Sequence, residues 1–102
     1  MDIELPIEFR MACRNLTQGT EVATADELVQ QALIGIDQQD ARGIKAFLDD
    51  LLRRRYSADQ LKEFWWSTPA DVVFFEGEGV RTFLTLMRDA LAKPPYVGTQ
   101  AL

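Results

Sequence analysis

The sequence predicts an all-α fold, a bundle of about five helices in a single domain spanning residues 1–102. Three segments repeat apolar residues at the three- and four-residue spacing of one helix face. Two segments begin with the pattern of a capping box, in which two side chains satisfy free N–H groups at a helix start. A chain of 102 residues, 47% of them hydrophobic, is long enough to bury one core.

The first two helices are predicted before residue 37. The first spans Leu5–Leu16 and starts near Pro6, whose missing N–H costs nothing in a first turn. Its apolar spacing is irregular, and the residues expected to face inward are Ile7, Met11, Cys13 and Leu16. The second helix opens with the capping box Thr24-Ala25-Asp26-Glu27 and continues to Ile36. Its inward residues are expected to be Ala25, Leu28, Val29, Ala32, Leu33 and Ile36.

The third and fourth helices are predicted from stronger periodicity. Asp40 is the expected N-cap of the third helix, and Arg53, Arg54 and Arg55 are expected in its last turn, where cations complement the helix dipole. The inward residues of the third helix are expected to be Ile44, Phe47, Leu48, Leu51 and Leu52. The capping box Ser57-Ala58-Asp59-Gln60 opens the fourth helix, which turns Leu61, Phe64 and Trp65 inward.

The last helix is predicted over Glu78–Lys93, and Pro94-Pro95 stops it and leaves residues 94–102 as a frayed tail. Its inward residues are expected to be Val80, Phe83, Leu84, Met87, Ala90 and Leu91. An irregular apolar connection is predicted near residues 67–79. Within it, Val72-Val73-Phe74-Phe75 is either a single helical turn or a short extended piece packed into the bundle. Gly77-Glu78-Gly79 favours a helix start over a phosphate loop, because it has no P-loop lysine and carries a carboxylate.

The composition of the chain argues against several classes of function. The net charge is −5, so the chain is not expected to bind nucleic acid, and no apolar stretch is long enough to cross a membrane. One cysteine favours a cytoplasmic protein without disulfides. The chain has no histidine, and its acidic pairs, Asp37 with Asp40 and Asp49 with Asp50, match no calcium loop. We therefore expect no enzyme activity, no metal and no cofactor.

Trp65 and Trp66 raise a question that the sequence leaves open. Adjacent helical residues point about 100° apart, so one inward face cannot easily hold both rings. Trp66 is therefore either covered by Val72–Phe75 or placed at a binding surface, where tryptophan is enriched.

From about Asp40 to Ala92 the chain shows an ordered pattern of motifs. An acidic and apolar helix, Ile44 to Leu52, leads to the Ser57 cap and its helix. An aromatic segment and the acidic glycine turn Phe75-Glu76-Gly77-Glu78-Gly79 precede the final Val80-Arg81-Thr82-Phe83-Leu84. This order resembles the small helical immunity proteins of bacterial contact-dependent growth inhibition.

The resemblance implies a non-enzymatic cytoplasmic protein that binds and blocks one toxin domain. Many such toxins are nucleases, whose basic channels suit an acidic partner. On physical grounds the expected partner-binding residues are Asp71, Glu76 and Glu78 around the irregular connection, with Trp66 as an anchor. The competing interpretation is a regulatory or scaffold helical module that docks on an unrelated protein or forms homodimers.

Overall fold

The computed structural model describes residues 3–16, 24–70, 77–93 and Tyr96, and it confirms the predicted all-α bundle. Five helices lie in these ranges, and no strand is found there. They are α1 (Ile7–Arg14), α2 (Ala25–Ala32), α3 (Gln38–Arg53), α4 (Ala58–Trp66) and α5 (Gly77–Leu91).

Helix α5 is the centre of the bundle, because it contacts α2, α3 and α4, while α1 packs against α2 and α3. The predicted inward face of α5 is confirmed, with only Ala90 partly rather than fully buried. The rings of Trp65 and Phe83 meet edge to face, with 5.4 Å between their centroids. This contact joins α4 to α5. Leu61, Phe64 and Trp65 are all buried, as predicted.

The inward face of α1 differs from the prediction. Ile7 and Met11 are 75% and 37% exposed, so the prediction that they line the core is wrong. The buried residues of this segment are Phe9, Ala12, Cys13 and Leu16, which follow the i, i+3, i+4, i+7 spacing of a single face. Phe9 determines which face of α1 turns inward, because its ring packs on those of Phe47 and Phe64. The distances between ring centroids are 5.0 Å to Phe47 and 6.1 Å to Phe64.

The starts of α2 and α3 show how caps set helix bounds. Thr24 caps α2 as predicted, and its hydroxyl accepts a hydrogen bond from the N–H of Glu27 at 3.2 Å. The prediction of Asp40 as the cap of α3 is wrong, because Asp37 caps this helix and accepts from the N–H of Asp40 at 2.8 Å. Helix α2 ends at Ala32, so the prediction that it continues to Ile36 is wrong; a turn follows, in which Gly35 has a φ of 78°.

The link between α3 and α4 begins at the three consecutive arginines, Arg53 to Arg55. Only Arg53 lies in the last turn of α3, whereas Arg54 is the C-cap and Arg55 has a φ of 56°, so the predicted helical run of three arginines is wrong. The capping box of α4 is confirmed. The Ser57 hydroxyl accepts from the N–H of Gln60 at 3.1 Å, and the Gln60 side chain accepts from the N–H of Ser57 at 2.8 Å.

Helix α5 begins at Gly77, which confirms that the glycine turn starts a helix. A Cβ atom at Gly77 would overlap the backbone carbonyl of Ala58, so glycine allows the starts of α4 and α5 to meet. The predicted apolar piece at residues 72–75 lies outside the described residues. So does the predicted tail at 94–102, except for Tyr96, whose N–H donates to the carbonyl of Lys93 at 3.0 Å.

Candidate interaction surface

Trp66 lies at the surface of the bundle. Its side chain is 64% exposed, whereas that of its neighbour Trp65 is 2% exposed. The Lys62 ammonium, one turn earlier in α4, lies 5.3 Å from the centroid of the Trp66 ring, within the range of a cation–π contact. This contact orients a large apolar ring that faces solvent.

Glu78 is the second predicted site residue that the structure describes. Its side chain is 63% exposed, and its carboxylate lies 3.5 Å from Nη1 of Arg81. Nη2 of Arg81 also donates to the carbonyl of Tyr56 at 2.7 Å, which ties α5 to the connection before α4. Glu78 therefore has part of its charge balanced within the bundle. Asp71 and Glu76, the other two predicted residues, lie outside the described residues.

Three other carboxylates lie near one another at the junction of α1 and α3. Glu8 rests against Gly43, and Asp37 and Asp40 belong to the first turn of α3 and its cap. Partial desolvation raises the pKa of the Asp40 carboxyl, and the nearby charges of Asp37 and Glu8 raise it further. No ion pair found among the described residues involves any of the three. We call Glu8, Asp37 and Asp40 the acidic cluster.

Near the C-terminus of α3, in contrast, the carboxylates are paired with cations. Asp50 is paired with Arg53 at 3.2 Å and with Arg54 at 2.9 Å. The hydrogen bond from Arg53 and the charge of Arg54 hold the pKa of Asp50 below its usual value. Asp49 accepts from Lys45 at 2.8 Å. The negative charge of α3 is thus balanced near its C-terminus and unbalanced near its N-terminus.

In the sequence, Asp37 and Asp40 form only a local acidic pair, and nothing there connects Glu8 with them. The fold brings the three residues together, because α1 packs against α3 and places Glu8 against Gly43, one turn from Asp40. The one signal in the sequence was the density of acids near residue 37. It could not reveal a third carboxylate from a distant helix.

The side chains that could act as nucleophiles, those of Cys13, Ser57 and Ser67, have structural roles in the bundle. Burial raises the pKa of the Cys13 thiol to about 12, and the Thr68 hydroxyl lowers it by a smaller amount, so the reactive thiolate is scarce at neutral pH. Ser57 caps α4, and the Ser67 hydroxyl donates to the carbonyl of Phe64 at 2.6 Å. Within the described ranges, no group of three or more potential ligands could hold a metal ion, and no helix is long and apolar enough to cross a membrane.

Comparisons of this chain with protein-family models, with curated proteins and with solved structures find no match. The function of the chain is therefore inferred from its own surface.

Proposed function

We propose that this chain is a non-enzymatic, cytoplasmic protein-binding domain, and specifically an immunity protein that binds and blocks a cognate bacterial toxin domain. The observation that carries the proposal is the exposure of Trp66 beside the buried Trp65. Tryptophan is enriched among the few residues that dominate binding energy at protein interfaces. Of the two tryptophans of α4, only Trp65 packs in the core, so Trp66 is available to a partner.

The charge of the chain supports a basic partner. The net charge is −5, and the acidic cluster has no cation within ion-pair distance in the described part of the chain. Opposite potentials accelerate the encounter of two proteins and align them before contact. A nuclease toxin carries a basic channel for its substrate, and an acidic protein that covers this channel would block it.

The proposal is tested with the gene located immediately upstream of this one. The C-terminal domain of a large secreted protein encoded there is expressed in a bacterial host with and without the chain. We expect the domain to stop growth alone and growth to be restored with the chain. Titration calorimetry with the purified proteins, using a catalytically inactive toxin variant, should show a one-to-one complex.

A matched control separates binding from general effects on expression. The Asp49→Ala variant removes an acid that is already paired with Lys45, so it should protect as well as the wild type. If no toxin gene is adjacent, or if the purified toxin domain and the chain do not bind, the immunity proposal is wrong.

A further inference from the structure

Helix α1 buries the face that contains Phe9, which leaves the opposite face of this helix in solvent. Ile7, Arg10, Met11 and Arg14 follow the i, i+3, i+4, i+7 spacing, so they form one stripe, which we call the α1 outer face. All four are exposed, and Ile7 is the most exposed large apolar side chain of the described residues, at 75%. Two apolar and two cationic side chains therefore share one surface.

A groove borders the α1 outer face. Leu5, Arg10 and Arg14 line one side of it, and Ser67, Thr68 and Pro69, which follow α4, line the other, around a volume of about 240 Å³. The second wall is held in place, because the buried Thr68 hydroxyl donates to the carbonyl of Trp65 at 2.7 Å. The groove therefore lies between α1 and the residues that follow α4.

The two arginines of this face have no carboxylate within ion-pair distance among the residues that the structure describes. Arg53, Arg54, Arg81 and Arg88 each lie within 4.0 Å of a carboxylate of the bundle. No such pair involves Arg10 or Arg14 in the described part of the chain. These two cations therefore keep their hydrogen-bonding capacity in a chain of net charge −5.

We propose that the α1 outer face and its groove bind an acidic, partly apolar segment of a partner protein. Carboxylates of that segment would pair with Arg10 and Arg14, which can each make two parallel hydrogen bonds, while an apolar side chain covers Ile7 and Met11. This surface is opposite in sign to the acidic cluster, so it goes beyond the proposed toxin interface. A nucleic acid also offers anions, but the surplus of acids on the chain repels a long polyanion.

The test uses two designed helical peptides of the same length, with leucine at every third or fourth position and either glutamate or lysine between. Each is titrated into the ¹⁵N-labelled full chain and followed by NMR. We expect the glutamate peptide to shift the amide signals of residues 7–14 and 67–69 and the lysine peptide to leave them unchanged. The Arg10→Ala/Arg14→Ala variant should bind the glutamate peptide roughly tenfold more weakly or worse, since two charge-assisted contacts are lost.

The Arg53→Ala/Lys93→Ala variant is the matched control, because it removes two exposed cations that lie outside this surface. It should bind the glutamate peptide as the wild type does. Equal binding of both peptides, shifts elsewhere on the chain, or equal weakening in the control variant would overturn the proposal. So would preferential binding of a single-stranded oligonucleotide, or self-association that produces the same shifts without peptide. None of these results bears on the toxin complex, so the two proposals fail independently.

Discussion

Trp65 and Trp66 are adjacent in the chain and have opposite surroundings. Trp65 is 2% exposed and contacts Phe83 in α5, whereas Trp66 is 64% exposed and lies near Lys62. Replacing each by alanine therefore tests two different properties of the molecule.

We expect Trp66→Ala to leave the thermal midpoint nearly unchanged and to weaken binding to the proposed toxin partner by about 2 kcal/mol or more, the usual loss at an interface anchor. Trp65→Ala is the matched control. It should lower the free energy of unfolding by roughly 3–5 kcal/mol, because it leaves a large cavity. Thermal unfolding and titration calorimetry measure both effects. A Trp66→Ala variant that loses stability as Trp65→Ala does would show that Trp66 belongs to the core.

Asp40 and Asp50 occupy the two ends of α3 and are expected to titrate in opposite order. Asp40 has a raised pKa because of partial desolvation and its carboxylate neighbours, and Asp50 has a lowered pKa because of its arginines. NMR titration of the side-chain carboxyl carbons should place the pKa of Asp40 above 3.8 and that of Asp50 below it.

The two aspartates contribute to stability in opposite directions. The depressed pKa of Asp50 favours folding above its unfolded value, and this contribution disappears as the pH falls through its folded pKa. The raised pKa of Asp40 costs stability above its folded value, and this cost is relieved as the pH falls through it. Glu8→Gln should lower the pKa of Asp40. An unchanged value would contradict the acidic cluster.

At the scale of the helices, the contact between α4 and α5 depends on one glycine. A Cβ at Gly77 would overlap the carbonyl of Ala58, which is backbone and cannot move aside. A Cβ at Gly43, in the middle of α3, meets only the flexible end of the Glu8 side chain.

We expect Gly77→Ala to destabilise the protein by about 1–3 kcal/mol, the usual cost of forcing extra atoms into a packed contact. Gly43→Ala is the control, and it should change stability by less than about 1 kcal/mol, because alanine also favours the helix. Urea unfolding measures both. Equal stability of the two variants would show that α5 starts without the close approach to Ala58.

The helices that the sequence predicted best are those with a dense apolar pattern or a complete cap. The inward faces of α4 and α5 and the capping box at Ser57 depend on neighbours within a few residues, so local reasoning is sufficient. The start of α3 was misplaced because Asp37 and Asp40 are both good caps and only their geometry separates them.

The face of α1 could not be derived in the same way. Its segment has two apolar sets, Ile7 with Met11 and Phe9 with Ala12, Cys13 and Leu16. The rings of Phe47 and Phe64, which come from later helices, select the second set. The acidic cluster and the α1 outer face both follow from this choice, so neither was visible before the helices were packed.

At the scale of the whole molecule, charge is distributed unevenly. Carboxylates near the C-terminus of α3 and along α5 have cationic partners, whereas those of the acidic cluster have none among the described residues. The chain therefore presents an unbalanced negative surface, which is the property that an electrostatically steered complex requires.

The most direct test of an acidic interface is the rate at which the chain binds the proposed toxin partner as salt is increased, measured by stopped-flow fluorescence. We expect the association rate to fall steeply and the dissociation rate to change much less, because salt screens charges over about 8–10 Å before the proteins touch. The Glu76→Lys/Glu78→Lys and Glu8→Gln/Asp40→Asn variants should each bind more slowly than the wild type, with the first nearly unchanged in thermal stability. Association that is insensitive to salt and unaffected by both double variants would contradict an acidic interface.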